Sequence, residues 1–268
     1  MARGPVHEAL RLSWIRLHRQ SYWRYYQWKR GLAEPEMAWL PVLCSPDQRS
    51  VDVGGNIGLY AHPMLAHSAQ CVVFEPLPPL AQHLRRTFRK EGERFRLEEV
   101  ALSEDHHAAE LRMPQGHFGY STIEPENQLD GKVSTRRVLT FHVHTQCLDD
   151  FDLQNVGFVK IDVEGHEGAV LRGARSLLGA QHPALLIEVE ERHKTNAVSD
   201  VHAFLHAFGY EAFFLLAGVI HPFADFDLER HQNPERPHDA VRNFLYLPAE
   251  RCAEILPKLQ ACLAPRRD

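Results

Sequence analysis

Ser50-Val51-Asp52-Val53-Gly54-Gly55-Asn56-Ile57-Gly58-Leu59-Tyr60-Ala61 is the stretch on which the fold turns. Val51 and Val53 read as a buried parallel strand, and Gly54-Gly55-Asn56 as the turn through which such a strand feeds a helix. Missing Cβ atoms at Gly54, Gly55 and Gly58 let a ligand approach the backbone, and a helix opening near Ile57 favours an anion there. Asp52, inside the strand's end, would repel a pyrophosphate. It suits a ligand that carries an ammonium group beside its carboxylate, as an amino acid does. A dinucleotide fingerprint started at Gly54 would need glycine where the chain has Asn56 and Leu59, so the spacing points away from NAD. The next strand, Cys71-Val72-Val73-Phe74-Glu75-Pro76, ends in an acid 17 residues after Gly58. That is where an α/β nucleotide site places the carboxylate that grips a ribose diol, which makes Glu75 the candidate ribose ligand.

Working outward, further strands are expected at Phe95 to Val100, Val156 to Val163, Ala184 to Val189, Tyr210 to Leu216 and Asn243 to Leu247. With the first two they make seven. Helical patterns lie between most of them, at Leu80 to Lys90, from Glu167 and at Val201 to Phe208, and Ala249 to Leu263 closes the chain. The expected fold class is therefore α/β, a doubly wound, mostly parallel seven-stranded Rossmann-like sheet with helices on both faces. Glu110 to Met113 and Val138 to Val143 read as a β-hairpin arm whose polar loop has the length of a lid or substrate contact. The Pro-, His- and Asp-rich stretch 221–242 reads as a surface loop near the rim or a disordered excursion.

The chain of 268 residues, 44% hydrophobic, is long enough for one sizeable domain with an appendage. The expected division is a helical, basic-aromatic cap over 1–48, the α/β domain over 49–250, and a C-terminal helix and tail over 251–268. Residues 7 to 30 place Leu10, Trp14 and Leu17 on one stripe among six arginines and lysines and a single acid. Such a helix is read first as a cap whose aromatics pack on the domain, and second as a peripheral membrane contact. The formal net charge of −5 gives no global field for nucleic acid, and none is expected as a partner. Five cysteines without a C-x-x-C pair read as reduced thiols. The longest apolar run, Phe213 to Ile220, falls far short of the ~20 residues of a membrane span, so a cytoplasmic protein is expected.

Val51-Asp52-Val53-Gly54-Gly55-Asn56-Ile57-Gly58 is followed downstream by Phe158-Val159-Lys160-Ile161-Asp162-Val163-Glu164-Gly165-His166-Glu167 and Val170-Leu171-Arg172-Gly173-Ala174. Together these blocks resemble the FkbM-type S-adenosylmethionine-dependent methyltransferases, over roughly residues 50 to 190. Phe74-Glu75-Pro76, Val100-Ala101-Leu102-Ser103 and Cys147-Leu148-Asp149-Asp150 match minor blocks in the same order. Gly55 is a departure, since the family more often carries alanine there. The resemblance implies a class I methyltransferase sheet, S-adenosyl-L-methionine as cofactor, and methyl transfer to a hydroxyl on a sugar, polysaccharide or secondary metabolite, that is, a small-molecule or glycan acceptor. The other reading is a non-catalytic module that uses the cofactor fold as a scaffold or membrane-surface interaction protein.

Ligands of such sheets bind outside the carboxyl ends of the strands. Asp52, Gly54, Gly55, Asn56, Gly58, Glu75 and Ala101 are the candidate cofactor-binding residues on that basis. A sulfonium donor is already activated, so the protein has to align the acceptor oxygen and take its proton. Asp162 and Glu164 are the candidate catalytic or acceptor-orienting pair, with His166 second. A metal-assisted version would use Asp162 and Glu188, at neighbouring strand ends, as oxygen ligands to Mg²⁺.

Overall fold

The structure is a computed structural model and describes residues 34–129, 137–235 and 239–263. The expected N-terminal helix at residues 7–30, with its cap and membrane readings, lies outside the described residues.

Short 3₁₀ and α turns over Pro35–Trp39 and α1 (Leu40–Leu43) lead into β1 (Arg49–Val53). Then come α2 (Ala61–His67), β2 (Gln70–Phe74), α3 (Pro78–Thr87) and β3 (Phe95–Glu98). The expected third strand stops at Glu98, and β4 (Ala101–Leu102) leaves the main sheet to pair with the arm formed by β5 (Ala108–Pro114) and β6 (Val138–Gln146). The chain returns through β7 (Val156–Ile161), α4 (Glu167–Arg172), α5 (Arg175–Gln181), β8 (Ala184–Glu188) and α6 (Ala197–His206). It ends with β9 (Tyr210–Leu216), β10 (Val219–Pro222), α7 (Leu228–His231), β11 (Asn243–Pro248) and α8 (Cys252–Cys262).

The main sheet runs in the order β10-β9-β11-β8-β7-β1-β2-β3. From β3 through β8 the neighbours are parallel, whereas β11 is antiparallel to both β8 and β9. All seven expected strands are present. An eighth, β10, folds back on β9 through a two-residue turn in which Ala217 and Gly218 both have positive φ. Stretch 221–242 is correspondingly ordered where it is described. Phe223 and Phe226 pack against the core, and His231 is buried.

The pleat divides the sheet's side chains between two cores. Val51, Val53, Val159, Ile161, Leu185 and Ile187 face α4, α5 and α6, while Cys71, Val73, Phe158, Leu186 and Leu245 face Trp39, Leu40, Met64 and Leu259. Each such side chain, fully buried, contributes roughly 1.5–3 kcal/mol. Residues 39–43 and α8 thus share one core with the sheet. No described helix is long and apolar enough to cross a membrane.

Candidate active site

The turn after β1 is tight because the neighbouring strand's exit presses on it. A Cβ on Gly54, whose φ is +84°, would lie 2.0 Å from the Asp162 carbonyl oxygen. The N–H groups of Gly54 and Gly55 both donate to the Phe74 carbonyl, at 3.0 and 3.1 Å, and Gly58 N–H donates to the Gly55 carbonyl. Asn56 N–H donates to Glu75 Oε2 at 2.7 Å. These four donors are engaged within the protein, and α2 opens at Ala61 rather than near Ile57. The loop therefore does not present the free anion-binding N–H row expected of it.

At the carboxyl ends of β1, β2 and β7 lies an open cleft. Gly54, Asn56, Glu75, Ala101, Asp162, Glu164 and His166 all line it. Leu77, Leu80, Val100, Leu102 and Leu111 supply apolar wall, and Phe118, Gly119, Ser121 and Ile123, from the segment after β5, close one side. Glu75 is buried with its oxygens accepting from Asn56 N–H and, at 2.8 Å, from Leu77 N–H. A carboxylate fixed in this way keeps further lone pairs for donors inside the cleft.

Three expected ligands sit elsewhere. Asp52 is buried on the opposite face of the pleat, opposite Lys160 in the β1–β7 register, and does not line the cleft. Its partner charge is this buried lysine, whose Nζ lies 3.1 Å from Asn243 Oδ1 and 5.1 Å from the Tyr60 ring centroid. Gly55 and Gly58 make room for protein. A Cβ at Gly55 would meet Val73 at 2.2 Å, and one at Gly58 would meet Phe88 and Leu84 at 2.7 and 2.9 Å. Their role here is to let the turn pack on β2 and α3.

Around the exit of β7 lies a network that the spacing of the sequence does not announce. His166 Nδ1 is 3.2 Å from Glu124 Oε2, and its Nε2 is 3.0 Å from Ser103 Oγ. Lys194 Nζ donates to the same Glu124 oxygen at 3.1 Å. Hydrogen bonds from His166 and Lys194 outweigh burial and hold the Glu124 carboxyl down to about 2. Glu164 carries a left-handed φ of +55°, and its carbonyl accepts from Thr122 Oγ1 and Asn127 Nδ2, both at 2.8 Å. Burial first, then the charges of Asp162 and Glu188, push the Glu164 carboxyl well up. Asp162 is raised as well, again mainly by burial, with Lys160 opposing. Ser103 lies in a block already quoted from the sequence; Glu124 and Lys194 have no signal in their spacing.

Glu188 interacts with Asp162 through charge. Among the described residues, the one group of three potential metal-ligand side chains gathered within 4.8 Å is His106, Cys147 and Asp150. His106 and Asp150 of that group are exposed, and none of the three lines the cleft. Of the two acids expected to hold Mg²⁺, Asp162 lines the cleft and Glu188 does not.

The buried acids make stability depend on pH. Glu36, Asp52, Glu75 and Glu167 are each pushed up to about 7, chiefly by burial. An acid raised in this way stabilises the fold fully below its ordinary value near 4, and that contribution is lost as pH rises through about 7. His83 and His193, lowered by burial to about 4, act oppositely: their contribution is complete above about 6.5 and lost as pH falls through about 4. The four acids outweigh the two histidines, so the melting temperature is expected to be highest near about pH 5 and to fall toward about pH 8. Calorimetric scans across that range check this, and a melting temperature that climbs from pH 6 to 8 would contradict it.

Residues 52–212 match the family model of the methyltransferase FkbM domain. A solved structure of an FkbM methyltransferase from Methylobacillus flagellatus KT is similar over 75% of this chain, at 17% identity and a TM-score of 0.50. The match spans 44% of that protein's length. An O-methyltransferase from Bacillus cereus, solved with SAH, is 10% identical over 79% of each chain with a TM-score of 0.43. No curated protein matches. The M. flagellatus likeness extends to the fold, a class I methyltransferase sheet. With the family match running from β1 into β9, and taking in the glycine turn, Glu75, Asp162 and Glu164, the chain belongs to the FkbM methyltransferase family.

Proposed function

We propose that this protein transfers a methyl group from S-adenosyl-L-methionine to a hydroxyl, on a sugar, polysaccharide or secondary metabolite. The observation that carries the reading is the lining of the cleft. A buried, backbone-held Glu75 and the apolar side chains of Leu80, Val100, Ala101 and Leu102 suit a ribose and its adenine, and Asp162, Glu164 and His166 line the same cleft. The cofactor, when bound, supplies an electrophilic methyl on a sulfonium centre. Glu75 would accept the ribose hydroxyls, and the aliphatic wall would exclude water from the base. Asp162 and Glu164 would meet the acceptor, one carboxyl group orienting its hydroxyl and the other taking its proton.

Calorimetry of S-adenosylmethionine binding tests the cofactor end. Glu75→Ala is expected to weaken affinity about 30-fold, equivalent to ~2 kcal/mol of charge-assisted hydrogen bonding, in a protein that still folds. Wild-type affinity in the folded variant, or tight NAD binding with none for S-adenosylhomocysteine, would refute the reading. A screen of hydroxylated acceptors for S-adenosylhomocysteine release identifies the substrate.

A further inference from the structure

The β5–β6 arm has two roots, the loop 103–107 that enters β5 and the turn 147–150 that follows β6. Thr145 Oγ1 accepts from His107 N–H and donates to the Asp105 carbonyl, both at 2.8 Å, so the backbone on either side of His106 is pinned to β6. In the second root, Cys147 N–H donates to Asp150 Oδ2 at 2.8 Å, and Asp150 N–H donates back to the Cys147 carbonyl at 3.2 Å. Asp149 anchors this turn on the body. Its N–H donates to the Gly173 carbonyl, and its carboxylate accepts from Ser176 and Leu177 N–H, where α5 begins. The two roots meet at three side chains: His106, Cys147 and Asp150 each offer a ligand atom within 4.8 Å of the other two.

We propose that His106, Cys147 and Asp150 form a surface site for a thiolate-seeking divalent cation of the zinc class, which ties the two roots of the arm together. One thiolate, one imidazole and one carboxylate select zinc over magnesium or calcium, and three protein ligands leave the fourth tetrahedral position to water. His106 and Asp150 are exposed and Cys147 is half-buried, so an ion reaches all three from solvent. His106 Nε2 and Asp150 Oδ2, now 2.6 Å apart as an ion pair, would part to ~3.3 Å on an ion with bonds of ~2.0 Å. A surface ion pair is worth little, so giving it up costs little. The local charge favours a cation: burial and then Asp150, Asp149, Asp105 and Glu104 push the Cys147 thiol up, and a dication offsets those charges and takes the sulfur as thiolate. On binding, the thiol proton passes to solvent and His106 coordinates through Nε2 with its proton on Nδ1. Leu111 of the arm and Phe118 to Ile123 beyond it belong to the cleft wall, so the ion would brace that wall from outside the cleft.

Cobalt(II) is the probe, titrated into the reduced full-length protein. One equivalent is expected to give the near-ultraviolet sulfur-to-cobalt charge-transfer band, and zinc added afterwards should erase it. Cys147→Ser should remove the band, and Cys262→Ser, at an exposed cysteine on α8, should keep it. His106→Ala should weaken cobalt binding at least ~10-fold, since even an outer-shell partner is worth that much. Zinc should raise the melting temperature of the wild type and leave that of His106→Ala where it was, and melting without metal shows that each variant folds. No thiolate band in the wild type, a band that survives Cys147→Ser, or unchanged affinity in His106→Ala overturns the assignment. None of these readouts uses the methyl donor, so the Glu75→Ala binding test stands or falls separately.

Discussion

Gly54→Ala is expected to abolish cofactor binding and to cost at least ~3 kcal/mol of stability, because it meets two obstacles at once. An alanine at φ +84° is strained by about 1 kcal/mol wherever it occurs. Here its methyl carbon would also overlap the Asp162 carbonyl oxygen at 2.0 Å, and that atom is backbone tied to Val53 by the Asp162 N–H bond. Relief requires the exits of β1 and β7 to separate, which opens the wall on which Asn56 and Asp162 sit. Gly209→Ala is the matched control, with φ +80° and nothing within 4 Å of its added Cβ. Urea unfolding of both variants separates strain from overlap. If they lost the same stability, and Gly54→Ala still bound S-adenosylmethionine, the close approach of the two loops would have no functional weight.

Asp162→Asn should leave the fold intact and reduce methyl transfer at least ~100-fold, as expected when a group that aligns or deprotonates the acceptor is lost. The amide keeps the shape and the backbone contact with Gly54 but removes one carboxyl group from the cleft lining. Cofactor affinity should change far less, since the proposed ribose contact is Glu75 on β2's exit and not Asp162. The comparison is made by S-adenosylhomocysteine release with whichever acceptor the screen yields. Normal turnover in the variant would make Asp162 structural and leave both alignment and proton removal to Glu164.

The parallel strands were legible because burial on both faces leaves uninterrupted apolar runs, as in Val156–Ile161, where every residue is buried. β10 was not, because only the second residue of its turn, Gly218, carries the usual signal; the first, Ala217 at φ +50°, stands where asparagine, aspartate or glycine would mark a two-residue hairpin. Glu75, Ala101, Asp162, Glu164 and His166 could be placed at the site from topology alone, since they follow strands that end on the same edge. The position of Asp52 was available in the alternation: with Val51 and Val53 turned toward α4–α6, the residue between them has to face the other way. Ser103, Glu124 and Lys194 come from three separate connections, and tertiary packing alone joins them with His166.

The arm of β5 and β6 meets the body through a ladder of two residues, Ala101 and Leu102 against Thr145 and Gln146. Its underside is a small cluster in which Leu111, Met113 and Val143 pack with Ile57, Leu77, Leu80 and Ala101. Leu77, Leu80, Ala101 and Leu111 are at the same time cleft wall. A molecule lodged there fills out the arm's own packing, so ordering the arm and holding the guest draw on a single free energy. Occupancy then stiffens the arm. By the same reciprocity, loosening the arm at a residue remote from the guest weakens its retention although no contact to it has been lost.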